Sequence, residues 1–101
     1  QLKIVLDGDH RSEAAIQPFA QKAPLLLVFV ANYEKMGDMD DEARIFYGAT
    51  DCGFVSQNVY LFCAAEKLNT VVLGMIHRDG IKDLLNLNGK AILAQPVGYE
   101  Q

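Results

Sequence analysis

Few stretches of this chain could do chemistry on residue type and spacing alone. His77-Arg78-Asp79 has the order of a kinase catalytic triplet, but the asparagine required five residues on is Leu84, and 101 residues are too few for that fold. Asp7-x-Asp9 and Asp38-x-Asp40 look like the start of calcium loops. Neither continues with a third oxygen ligand, a sixth-position glycine and a terminal glutamate, so turn and cap roles are expected. His10 and His77 are far apart in sequence, with no second histidine or clustered carboxylate beside either, so no metal site is expected. No Gly-x-Ser-x-Gly elbow, glycine-rich phosphate loop or nucleophile–base pair is present, and no catalytic residue is assigned.

Two features survive this sifting. Gln57-Asn58 places adjacent amides in an otherwise apolar helical stretch. A buried amide left unbonded costs about 1–3 kcal/mol, so one reading is a strut tied to nearby backbone and the other is a ligand contact. Gly74 lies inside Thr70–Ile76, a β-rich run. Glycine weakens a strand unless it marks a bulge, a strand end or a close approach to the backbone. The last of these would let a flat ligand lie against the exposed amides.

The elements that must position these residues follow from periodicity. Leu2–Leu6 reads as a strand stopped by Asp7-Gly8-Asp9. With Ser12 as N-cap, the spacing of Ile16, Phe19, Ala20 and Ala23 predicts a one-sided helix, its start shifted by Pro18. Pro24–Ala31 is a continuous apolar run of strand length, suited to a strand covered on both faces. Asp40, Asp41 and Glu42 suit a helix N-terminus, and the helix is expected to run to about Lys67, with Gly48 or Gly53 as possible breaks. Val59–Ala65 is apolar on every side, the mark of a buried helix. Asp79 can cap a short helix carrying Ile81, Leu84 and Leu85, closed by Asn88-Gly89, and Ala91–Gly98 reads as a last strand. The order β-α-β-α-β-α-β gives α/β or α+β, with the sheet covered on both faces.

Composition narrows the functional classes. The chain has 101 residues and is 50% apolar. Counting glycine and leaving out tyrosine raises the share further, above the ~45–50% usual for soluble domains. A chain this short and apolar is expected to lack a partner: a second chain, or the rest of its own domain. It opens on Gln1 with a strand-like run, as a segment beginning mid-fold would. Net charge is −4, with no Lys/Arg cluster, so no nucleic acid or anionic membrane partner is expected. The longest apolar runs fall short of the ~20 residues of a membrane span. Cys52 and Cys63, on one helix, would stand ~16 Å apart. A disulfide needs ~7 Å, so both are expected to be free, buried thiols that fit a reducing, cytoplasmic setting.

In combination and in order, several stretches resemble the C-terminal half of the FMN-dependent nitroreductase superfamily, most nearly the SagB-type dehydrogenases, which include azoline oxidases. They are Ala23-Pro24 into Leu25–Ala31, Asp51-x-Gly53-Phe54-Val55-x-Gln57-Asn58-Val59-Tyr60-Leu61-Phe62-Cys63-Ala64-Ala65, Leu68-x-Thr70-Val71-Val72-x-Gly74, and Ala94-Gln95-Pro96-Val97-Gly98-Tyr99. The resemblance implies an α+β fold, a mixed sheet flanked by helices around a long central helix. It implies an intertwined homodimer with FMN at two interface sites, acting on a small-molecule substrate with NAD(P)H as a candidate electron donor. Residues 1–101 would then be the C-terminal portion of one domain. Carried over residue by residue, Val72, Leu73 and Gly74 are the expected cofactor contacts, with Asn58 as a weaker match to the helix motif. The family's arginine-rich motif for the FMN phosphate would precede Gln1, and the basic residues of some members would follow Gln101. The usual glycine before the Thr-Val-Val strand is Asn69 here, a tolerable residue at a left-handed cap. The alternative to flavin chemistry is a non-catalytic α/β module whose apolar excess serves dimerisation.

Overall fold

A computed structural model describes residues 2–99. Three strands, β1 (Leu25–Ala31), β2 (Leu68–Thr70) and β3 (Lys90–Tyr99), form an antiparallel sheet in the order β1-β3-β2. Helices α1 (Arg11–Ala14), α2 (Pro18–Gln21), α3 (Asp41–Ala65) and α4 (Arg78–Leu85) complete an α+β fold with a long helix. All pairings within residues 2–99 are antiparallel, so the sheet is not mixed here.

The inner strand is β3, not Pro24–Ala31 or Thr70–Ile76, and that accounts for two differences from expectation. As an edge strand, β1 is only half-buried along most of its length, with Leu25 and Val30 exposed. The Leu2–Leu6 run forms no strand, since no strand among the described residues pairs with it. Its side chains are exposed, Leu2 fully and Ile4 by 81%. The single helix expected around Ile16 is two short ones, interrupted at Ala15–Gln17 before Pro18, whose ring is tolerated only in a first turn.

The two faces of β3 meet different helices. Ala91 and Ala94 pack with Ala14, Ala15, Ala20, Leu73, Ile76 and Ile81 into a small core under α1, α2 and α4. The register slips between Phe29 and Val30, opposite Leu93 and Ala91, so Ile92 bulges and both alanines share a face despite their odd spacing. Arg78 of α4 donates from Nε and Nη2 to the Ile92 carbonyl at 3.1 and 2.7 Å, holding the bulge.

On the opposite face, Gln95 meets α3. That helix starts where Asp40 accepts the Ala43 N–H at 2.8 Å, and it passes Gly48 and Gly53 unbroken. Gly48, Cys52, Ser56 and Cys63 are its buried residues and form one sheet-facing stripe. A Cβ on Gly48 would lie 3.1 Å from the Ala31 Cβ, so the glycine permits close approach. Ser56 Oγ donates to Gln95 Oε1 at 2.8 Å. Helix α3 is not buried all round, because only this stripe has a sheet to pack on. Leu61 and Phe62 are each 60% exposed, and Phe46, Phe54 and Val55 are exposed too. The left-handed residue after α3 is Lys67 (φ 57°), while Asn69 lies in β2 opposite Gly98, so Asn69 is no cap. Helix α4 ends on left-handed Asn86, before Asn88-Gly89. Both cysteines are free and buried, and burial pushes the Cys52 thiol up.

A Cβ on Gly89 would collide with the Ala31 carbonyl, where β3 begins alongside the end of β1. Gly89→Ala is expected to lower stability by about 3 kcal/mol in denaturant unfolding. At the start of α1, Arg11 donates to Asp9 through its side chain and its backbone N–H, which together hold the Asp9 pKa down at about 2, and its Nη1 also reaches the Ala23 carbonyl. Because the folded value lies below the ordinary 3.8, this contribution is complete above that pH and is lost as pH falls from there through about 2. An NMR titration should find Asp9 near 2, and Arg11→Ala should return it toward 3.8.

Candidate functional site

The expected strand Thr70–Ile76 is present in register but broken. Thr70 pairs with Val97, and further along the same register Leu73 bridges Ala94. Between them Val71 and Val72 lie opposite Pro96 and Gln95. Proline brings no N–H, so the ladder cannot close there. The Pro96 carbonyl instead accepts the Thr70 hydroxyl at 2.7 Å. Val72 donates its N–H to the Tyr60 hydroxyl on α3, also at 2.7 Å.

Backbone planarity then fixes what the segment presents. Leu73 donates to the Ala94 carbonyl at 2.7 Å and accepts the Ala94 N–H at 3.1 Å. The N–H and C=O of a trans peptide point in opposite directions. The Val72 carbonyl and the Gly74 N–H therefore face away from β3, toward the free edge. Val72 is half-buried, Leu73 buried and Gly74 exposed. Leu73 spends both backbone groups and its side chain (4% exposed) inside the protein, while the Gly74 N–H meets no acceptor among the described residues. A Cβ at Gly74 would meet nothing within 4 Å, so the space over its backbone is open. No residue from Val71 to Ile76 is ionisable. What the edge offers is one uncharged acceptor, one uncharged donor and room for a flat group.

Beside this edge lies an apolar cleft of about 760 Å³ lined by Pro18, Phe19, Pro24, Thr70, Val71 and Tyr99 among others. It adjoins residues 72–74 without containing them.

Asn58 is elsewhere. It is exposed, with no side-chain hydrogen bond among the described residues, and so is Gln57, so neither is the buried strut expected of the pair. Two residues separate Asn58 from both Ser56 and Tyr60, about 200° of helix rotation, which turns it away from the sheet. It shares a face with exposed Phe54 and Leu61. The buried amide of this fold is Gln95, fully enclosed, with Oε1 bonded to Ser56 and Nε2 without a partner among the described residues. Sequence reasoning passed over both Tyr60 and Gln95. A polar side chain in the apolar Ala91–Gly98 run, and Tyr60 four residues after Ser56 on the Cys52–Ser56 face, were the available signals.

Comparison with known proteins agrees with this architecture. The family model described as the nitroreductase family matches residues 2–99. A protein of Methanocaldococcus jannaschii provisionally designated a nitroreductase is 32% identical over 98 residues, covering 93% of this chain and 50% of its own length. A crystal structure from Ralstonia eutropha, of a protein with the same provisional designation, superposes with a TM-score of 0.82 at 36% identity, over 92% of this chain and 45% of that one. The chain thus spans about half the length of the relatives it matches. With the family model matched across all but its outermost residues, the chain belongs to the nitroreductase family.

Proposed function

We propose that this chain supplies the C-terminal portion of an FMN-dependent oxidoreductase of the SagB type, working as a homodimer on a small organic substrate. The observation that carries the reading is the free edge at Gly74: an N–H aimed away from β3, open space over the backbone, and membership of a family whose resemblance assigns this strand to the flavin. These residues suit the group. A flat ring can approach where no Cβ intervenes, and uncharged N–H donors fixed in advance stabilise an electron-rich reduced ring. When bound, FMN supplies a ring that accepts a hydride from a reduced donor such as NAD(P)H and passes it to an acceptor.

The chain's own residues divide the work. Gly74 donates from its backbone, Val72 offers its carbonyl on the same edge, and Leu73 anchors the segment to Ala94. Asn58 faces away from this edge, so in this reading it reaches the cofactor only across the interface between two copies. That interface is the exposed apolar surface of α3, on which Phe54, Leu61 and Phe62 have no cover among the described residues. The same surface is what a non-catalytic dimerisation module would need, and it is the observation that favours that second reading.

The two readings separate experimentally. Purified full-length protein should show flavin absorbance, or gain it on adding FMN; a protein that does neither refutes the oxidoreductase reading. Gly74→Val should weaken FMN binding about tenfold or more, equivalent to ~1.4 kcal/mol, with the oligomer size by light scattering unchanged. A flavin-free oligomer indifferent to this substitution favours the dimerisation module.

A further inference from the structure

Tyr60 is the one side chain from α3 that touches the backbone of the Val72–Gly74 segment through a hydrogen bond among the described residues. Its hydroxyl accepts the Val72 N–H at 2.7 Å, at the gap where β3 presents Pro96 and Gln95. Without that hydroxyl Val72 has no fallback in the sheet. Leu73 would be its nearest fixed point, and a segment held at one residue can pivot about it. The Leu73 N–H and carbonyl fix two successive peptide planes on Ala94, the second of which carries the Gly74 N–H, and Tyr60 holds the plane before them through the Val72 N–H, so the segment cannot rock about the Leu73–Ala94 pair.

We propose that Tyr60 is a positioning residue: by fixing the Val72 amide it aims the Gly74 N–H at the cofactor, and it removes the Val72 N–H from the set of donors the cofactor can use. This rests on the FMN reading above. It also assigns a purpose to a tyrosine in the middle of an apolar helical run. From Cys52 and Ser56, Tyr60 continues the sheet-facing stripe at four-residue spacing, which brings its ring over the β2 end of the sheet.

The test uses the full-length protein and the conservative variant Tyr60→Phe, which keeps the ring and deletes only the acceptor. In wild-type protein without flavin, the Val72 amide should exchange slowly with solvent, and in the variant about tenfold faster or more. The dissociation constant for FMN should rise about 3- to 30-fold, in the range expected for one lost hydrogen bond. The reduction potential of the bound flavin should become more negative, because a loosely aimed donor stabilises the reduced ring less. A role confined to stability would lower the melting temperature and leave FMN affinity and potential unchanged. That result overturns the positioning role while the FMN reading stands. Wild-type protein that takes up no FMN overturns both. A Val72 amide that exchanges at an unprotected rate in wild-type protein overturns the clamp whether or not the variant folds.

Discussion

Pro96 brings no N–H to the middle of the central strand, and the ladder beside the candidate site breaks at that single missing donor. It stops β2 after Thr70, whose hydroxyl takes the Pro96 carbonyl in place of a backbone donor. It breaks the ladder at Val71, next to Val72, whose N–H faces away from β3 in this register and goes to the Tyr60 hydroxyl on α3. Pairing resumes at Leu73 and Ala94 in the same register, so the strand is interrupted without being displaced. A proline in a central strand ordinarily argues against that strand. Here the gap interrupts the ladder, and beyond it the pairing of Leu73 with Ala94 turns one acceptor, on Val72, and one donor, on Gly74, outward.

The second constraint is how little apolar surface the sheet covers. Helix α3 meets it chiefly through Gly48, Cys52, Ser56 and Cys63, all small residues, with Tyr60 half-buried beside them, while Ile45, Phe46, Phe54, Val55, Leu61 and Phe62 are exposed. The core on the other face is rich in alanine, with Ile81 the largest side chain fully enclosed in it. A chain that is half apolar thus keeps an unusual share of that surface exposed, on α3 above all. The compositional excess has a definite location, and it sits on the same helix that holds Val72.

Much of this was legible in the sequence, and the failures share a cause. The start of α3 could be read from Asp40 and the acidic turn after it, the last strand from Ala91–Gly98, and the short amphipathic α4 from Ile81, Leu84 and Leu85, because each depends on local pattern alone. Burial depends on which elements become neighbours, and periodicity does not carry that. Val59–Ala65 is apolar all round but packs on one side only. Leu2–Leu6 has strand propensity and no strand to pair with among the described residues. The rule that a buried amide must be bonded is sound, but it belongs to Gln95 and not to Gln57-Asn58, since only the sheet order shows which amide is enclosed. At the site, Gly74 could be singled out because a glycine in a β-rich run is visible by itself. Tyr60 could not, because its partner is a backbone amide whose direction is set by the pairing of Leu73 with the distant Ala94.

The strand order β1-β3-β2 carries a kinetic consequence. β3 follows both of its neighbours in sequence, so neither β1 nor β2 has a partner until Lys90–Tyr99 is available, and β1 must wait across the whole of α3 and α4. Contacts of such long sequence separation form late and set a slow pace for folding. In the interval Leu25–Ala31, an apolar run with an open edge on each side, is a ready template for pairing with another chain. Newly made protein is thus most exposed to aggregation before its central strand arrives, and the seven residues of β1 are where that hazard is concentrated.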